Sequence, residues 1–261
     1  MENSSIVLLP RIFKLSKLKH VSINVRSFFG VGAADPRRIL EAENSKLTLS
    51  RIFISCSECT DVALEKFPNL QHLNCIVNEP TDPPTHCNWF PKFDVLNKLE
   101  SLVALYGPMY TYGFPNEYHF PSSLKELRLF NFLLTPALLS AITALPQLEI
   151  LAIILSVFVE DKLYESEDIY QSLKTLSLQM VDLSVWEVDS GTFPKLEELI
   201  LENCYELTEI PCAFGDIDTL KSIRVVHSIC EIGDSAMEIK KDVAAYTGED
   251  RLDVDISDAY E

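Results

Sequence analysis

Phe193-Pro-Lys-Leu196-Glu-Glu-Leu199-Ile-Leu201-Glu-Asn-Cys204 (FPKLEELILENC, residues 193–204) decides how this chain folds. Its centre reads L-x-x-L-x-L, with Leu196, Leu199 and Leu201 at the three fixed places. Successive side chains of a strand point to opposite faces. Leu199 and Leu201 therefore share one face, and Glu198, Ile200 and Glu202 share the other. The same spacing recurs at Leu124-Leu127-Leu129 and Leu173-Leu176-Leu178. Looser copies are Leu18-Val21-Ile23, Leu49-Ile52-Ile54, Leu70-Leu73-Cys75, Leu99-Leu102-Ala104, Leu148-Leu151-Ile153 and Leu220-Ile223-Val225. From Leu99 onward the starts are separated by 25, 24, 25, 23 and 24 residues.

That period lies in the leucine-rich-repeat range of about 20–29 residues. One such unit cannot bury its own apolar side, so neighbours must stack. The spacing predicts an α/β leucine-rich-repeat solenoid, a horseshoe with a parallel concave sheet and an irregular or short-helical convex side. Amphipathic helices would not repeat the motif at so constant an interval. Phe67-Pro68, Phe120-Pro121, Leu145-Pro146 and Phe193-Pro194 precede four of the strands. Proline fixes φ and donates nothing to a ladder, so it suits the turn into a sheet. Pro136–Leu145 (PALLSAITAL) can form a short convex helix, and Cys204 sits where Asn or Cys caps the turn after a strand. The connections Glu79–Phe93 and Gly107–Ser123 are irregular; the aromatics of the second, Tyr110, Tyr112, Phe114, Tyr118 and Phe120, are expected to cover the convex core.

The repeats are assigned to residues 1–230 and an acidic C-terminal cap to residues 231–261. In the cap, Ser235-x-x-Glu238 has the form of a capping box. Ala236, Ile239, Val243 and Tyr246 fall on one helical face, with Gly248 as the stop. Leu252, Val254 and Ile256 alternate with charges, as in a short edge strand. No matching cap precedes Leu15–Ile23, so the first coil is expected to be covered by a preceding segment or another domain.

The 261 residues are 47% hydrophobic and 23% charged, ordinary values for a globular chain. The net charge of −17 is unevenly placed. Residues 1–159 hold 14 basic and 14 acidic residues, whereas residues 160–261 hold 8 and 25. The acidic half repels nucleic acid and anionic membranes. The longest apolar run, Ile150–Val159, is too short for a membrane span. The start MENSSIVLLPRIF lacks the basic head and long apolar core of a signal peptide. The expectation is a cytoplasmic or nucleocytoplasmic protein whose seven cysteines are reduced.

Phe193–Pro211 (FPKLEELILENCYELTEIP), continuing through Cys212–Ile217, resembles the terminal repeats of plant intracellular nucleotide-binding leucine-rich-repeat immune receptors. Leu99–Leu129, Leu145–Leu151 and Leu9–Lys17 (LPRIFKLSK) are similar to other repeats of the coiled-coil type from nightshade-family plants, the late-blight-resistance-like group. The resemblance implies a protein-interaction module. It would recognise a pathogen effector or guarded host protein, hold a nucleotide-binding switch domain off, or both. No G-x-x-x-x-G-K-[ST] motif is present, so ATP binding has no residue here and no cofactor is expected. The alternative is a stand-alone or truncated decoy or adaptor, for example a ubiquitin-ligase substrate adaptor.

Cys56-x-x-Cys59, His72-x-x-Cys75, His86 and Cys87 invite comparison with zinc spacing. A lone CxxC is weak, however, and Cys75 occupies an inward position, so packing is the preferred reading. None of the five histidines lies in a catalytic signature, and no enzyme is expected. The register gives the binding candidates. With the first Leu of each motif as position 1, positions 3, 5 and 7 face concave solvent. Successive position-7 residues Ile76, Leu105, Phe130 and Ile154 are apolar, and Val103 and Ile150 adjoin them. Arg128 and the acids Glu126, Glu198 and Glu202 would add orientation. Either this is an apolar interface, or a loop or local register change buries it.

Overall fold

A computed structural model describes residues 20–22, 47–55, 64–65, 67–78, 90–107, 115–159, 169–189 and 191–257, the first two stretches for their backbone only. The N-terminal end before His20, Ile23, Cys56, Cys59, His86, Cys87, Tyr110, Tyr112 and Phe114 lie outside the described residues. The chain forms two compact units, Met1–Leu124 and Lys125–Glu261.

In the first unit four strands run parallel in sequence order: β1 (His20–Ser22), β2 (Leu47–Ser55), β3 (Leu70–Asn78) and β4 (Ser101–Tyr106). Leu73, Cys75 and Val77 point inward from β3, and Leu102, Ala104 and Tyr106 from β4. The register between β3 and β4 is regular, and that between β2 and β3 shifts twice. Phe90 packs edge-on against Phe93 and Tyr118, with ring centroids 5.6 and 4.7 Å apart, and Phe120 stacks on Phe93. Tyr118 and Phe120 thus cover this core as the sequence suggests.

The second unit is the regular one. Strands β5 (Glu126–Phe130), β7 (Ile150–Ile154), β9 (Thr175–Gln179), β10 (Glu198–Glu202), β11 (Ser222–Val226) and β12 (Asp253–Ser257) are parallel neighbours in that order. The first five each span motif positions 3–7, and every position pairs with its equivalent on the next coil. Positions 1, 4 and 6 of these five coils are apolar and buried from Leu124 to Val225. Each such leucine contributes about 1.5–3 kcal/mol by leaving water. The two-residue strands β6 (Leu133–Leu134) and β8 (Val157–Phe158) form a small parallel pair just beyond the main sheet.

On the other side of the coils lies α1 (Pro136–Thr143), which follows the predicted segment. Thr135 caps it by accepting from the Leu138 N–H, and Pro136 opens its first turn, where no N–H partner is lost. Further along, Tyr170, Phe193, Phe214 and Trp186 form a continuous aromatic row, with centroids 5.0, 5.8 and 4.9 Å apart.

The C-terminal helix α2 (Cys230–Thr247) starts earlier than the capping-box motif predicts, with Ile229 at the N-cap. Ser235 is already in the second turn. Its hydroxyl donates to the Ile232 carbonyl and accepts from the Ile210 N–H, both at 2.9 Å, so it is not free to cap. Ala236, Ile239 and Val243 are buried as expected, but Tyr246 is 94% exposed. It lies in the last turn of the helix, beyond Val243, the last helix residue that is buried. Gly248 ends the helix at φ 74, its N–H donating to the Ala244 carbonyl. A Cβ there would meet no neighbour within 4 Å. The penalty of Gly248→Ala is therefore purely conformational, and the variant should lose about 1 kcal/mol in a urea titration. Beyond the turn, Leu252 is buried and β12 pairs in parallel with β11.

Candidate protein-binding face

Each coil of the second unit places the same motif positions in the same row, so the surface can be read row by row. At position 2, beside the N-terminal ends of the strands, stand Lys125, Glu149, Lys174, Glu197 and Lys221. The charges alternate. Lys174 Nζ lies 2.9 Å from Glu149, and Lys221 pairs with Glu197. The hydrogen bond and charge of Glu149, with Glu197 beyond, hold the Lys174 ammonium above its ordinary range. Lys221 holds the Glu197 carboxyl below its own. Glu149, Lys174, Glu197 and Lys221, with Ile150, Thr175, Glu198 and Ser222, line a shallow open groove.

The position-3, -5 and -7 rows form the solvent face of the sheet. Arg128 Nε donates to Glu126 at 2.6 Å across two residues of β5. Arg224 lies between Glu198 and Asp255, at 3.7 and 3.6 Å. Phe130 is the register partner of Ile154, and Glu126 that of Ile150. Glu198 and Glu202 bracket β10. All seven of Glu126, Arg128, Phe130, Ile150, Ile154, Glu198 and Glu202 are half-buried. In the first unit Ile76 pairs in register with Leu105. There Ile76 and Val103 are half-buried and Leu105 is 37% exposed.

One part of the predicted rows is corrected. Position 5 was expected to face solvent on every coil, yet Ala152 and Ser177 are buried. Their side chains are short, and larger neighbours close over them; the Gln179 amide donates to the Ser177 hydroxyl at 3.0 Å. The position-5 row is thus covered at these two coils, whereas Arg128, Ile200 and Arg224 keep it partly or fully exposed on the other three.

Positions 8 and 9 escaped the sequence reading except at Cys204. Position 8 is left-handed on five successive coils: Asn131, Leu155, Met180, Asn203 and His227, at φ 50 to 58. The first four N–H groups donate to the position-7 carbonyl of the next coil and that of His227 to Ser257 of β12, at 2.9–3.0 Å, prolonging the ladder past the strands. Position 9 then turns inward. Ser228 Oγ accepts from the Cys204 N–H and donates to the Val226 carbonyl. Ser156 serves Phe132 and Ile154 in the same way. The Cys204 thiol donates towards the Leu178 and Glu202 carbonyls at 3.4 and 3.7 Å. Burial pushes its pKa up to about 11, and burial pushes the Cys75 thiol up as well, so both stay protonated at neutral pH.

His72 is exposed while Cys75 is fully buried on the other face of β3, so the two do not converge on a metal. Among the described residues no group of three or more His, Cys, Asp or Glu is placed to hold a metal ion. No helix among them is long and apolar enough to cross a membrane.

Stacked parallel strands in register, buried aliphatic residues, mostly leucine, at positions 1, 4 and 6, and an inward turn at position 9 define a leucine-rich-repeat protein. Its homologues are the late blight resistance proteins of Solanum demissum. The homolog R1B-16 is 32% identical over 245 residues, 90% of this chain and 18% of that protein. Late blight resistance protein R1-A is 33% identical over 203 residues, 74% and 15% respectively. The homolog R1B-23 is 30% identical over 251 residues, 90% and 18%. The chain thus spans less than a fifth of the length of these relatives. No family profile matches it. Among solved structures, the plant peptide hormone receptor RGFR1 in complex with RGF2 aligns with 82% of this chain and 40% of that one, at 15% identity and a TM-score of 0.36.

Proposed function

We propose that this chain is the protein-interaction module of a plant intracellular immune receptor. It recognises a pathogen effector or a guarded host protein, holds a nucleotide-binding switch domain off, or does both. Homology to resistance proteins over 90% of the chain carries this reading. The sheet faces supply a surface suited to it: apolar Phe130, Ile150 and Ile154 beside Glu126, Arg128, Glu198 and Glu202 in one unit, and Ile76, Val103 and Leu105 in the other. Half-buried apolar side chains among charges provide both area and orientation for a protein partner. Residues 231–261 act as the cap. Ile232, Ala236, Ile239 and Val243 bury the apolar side of α2, and β12 continues the ladder with Asp253 and Asp255 outward. The module works in the cytoplasm or nucleus, and its output is a defence response such as the hypersensitive response.

The test is a leaf assay of a receptor carrying this repeat region with Phe130→Glu and Ile154→Glu together. Both side chains are half-buried rather than core, so the protein should accumulate normally on an immunoblot. Loss of the effector-triggered response marks the face as a recognition surface. Cell death without effector marks it as a restraining one. An unchanged response at equal protein level refutes the reading of this face.

A further inference from the structure

Leu155 and Met180 stand on adjacent coils at the C-terminal edge of the second unit's sheet, in the left-handed region at φ 52 and 51. That conformation is unfavourable for a residue bearing a Cβ, and Asn and His tolerate it best. Asn131, Asn203 and His227 fill the same position on the other three coils. Leu155 and Met180 are also 53% and 50% exposed, so burial does not offset the strain. Two neighbouring residues thus combine strained backbone with apolar surface in water. Folding favours neither, and both are features of binding sites.

Their surroundings give the partner's chemistry. Phe130 and Ile154 lie half-buried in the row alongside, followed by Gln179 and Glu202. The Met180 N–H donates to the Glu202 carbonyl at 2.9 Å, which fixes Glu202 on the rung next to Met180. Glu202 also differs from the other glutamates of this sheet face and its position-2 row. Glu126 pairs with Arg128, Glu149 with Lys174, Glu197 with Lys221 and Glu198 with Arg224. Among the described residues, no lysine or arginine pairs with Glu202.

We infer that Leu155, Met180 and Glu202 form a docking edge for a protein segment presenting apolar side chains interleaved with lysine or arginine. The inference rests on the reading of this face as protein-binding and specifies the partner's chemistry. Apolar side chains cover Leu155, Met180, Ile154 and Phe130, and the cation supplies the charge that Glu202 lacks. A second copy of this chain is the wrong occupant, since its net charge of −17 repels its like.

Fluorescence anisotropy of the purified full chain tests it, with labelled decapeptides of alternating Leu-Lys, Leu-Glu and Ser-Lys as probes. The Leu-Lys peptide should bind at least tenfold tighter than either control. The double variant Leu155→Asn, Met180→Asn should weaken that binding at least tenfold while raising the melting temperature, because asparagine relieves the strain. Glu202→Gln should weaken it and reduce its salt dependence. Unchanged binding by the double variant overturns the proposal, as does equal affinity for the Leu-Glu peptide. A lowered melting temperature overturns it too, since the two side chains would then be supporting the fold. So does a parent that sediments as a dimer and a double variant that sediments as a monomer. A failure here with an altered Phe130/Ile154 leaf response would remove the partner chemistry and keep the binding face. Peptide binding that behaves as expected with an unchanged leaf response would keep the docking edge and remove the role of Phe130 and Ile154 in the immune response.

Discussion

Phe193→Ala should lower the stability of the second unit by about 3–5 kcal/mol. The ring is fully buried. It stacks on Tyr170 at 5.0 Å and on Phe214 at 5.8 Å, both pairs within 23° of parallel. Alanine removes the ring and leaves a cavity between coils that the rigid ladders cannot close. Each aromatic pair adds about 0.5–1.5 kcal/mol beyond the area it buries. Domains hold together by about 5–15 kcal/mol in all. The variant should therefore show a large fall in its urea midpoint, followed by circular dichroism. Phe193→Leu keeps most of the apolar volume and should lose much less. A loss under about 1 kcal/mol for the alanine variant would show that the aromatic row is not what joins these coils.

The second large effect is expected at Ser228. Its side chain is fully buried and satisfies the Cys204 N–H while donating to the Val226 carbonyl. Alanine fits the space, but leaves a buried N–H without a partner, at about 1–3 kcal/mol. Cysteine should be tolerated better, because Cys204 performs the inward position-9 role with a thiol one coil earlier. Ser156→Ala should behave alike at the Phe132 N–H, and the two losses should add, since the sites share no partner. Amide hydrogen exchange gives the local check: the Cys204 amide should exchange faster in Ser228→Ala and the Phe132 amide in Ser156→Ala. Equal exchange in parent and variants would mean that another group satisfies these amides.

The second unit was legible because a period of 23–25 residues and a strict face alternation fix strand, register and buried set together. Leu199 and Leu201 had to point one way and Glu198 and Glu202 the other. The position of α1 was legible from PALLSAITAL, whereas the capping role of Thr135 emerged only in the structure. Where side chains have two uses, the sequence was ambiguous. Ser235 fits a capping box, yet its hydroxyl serves Ile210 and Ile232, and the helix reaches back to Cys230. Ala152 and Ser177 sit on the outward side of their strands as the register requires. Their burial depends on neighbours as tall as Gln179, which periodicity does not report. The left-handed corner was hidden for another reason. Asn131 and Asn203 could have signalled it, but Leu155 and Met180 break the pattern at the two places where the proposed docking edge lies.

The alternation Lys125, Glu149, Lys174, Glu197, Lys221 also constrains how such a chain can change in length. Removing the single coil that begins at Leu148 would bring Lys125 beside Lys174, and removing the one at Leu173 would bring Glu149 beside Glu197. Removing both restores a lysine beside a glutamate. Along this edge the coils obey a parity rule: they can be gained or lost as adjacent pairs without setting like charges on neighbouring rungs, whereas losing one interior coil requires a compensating substitution at position 2.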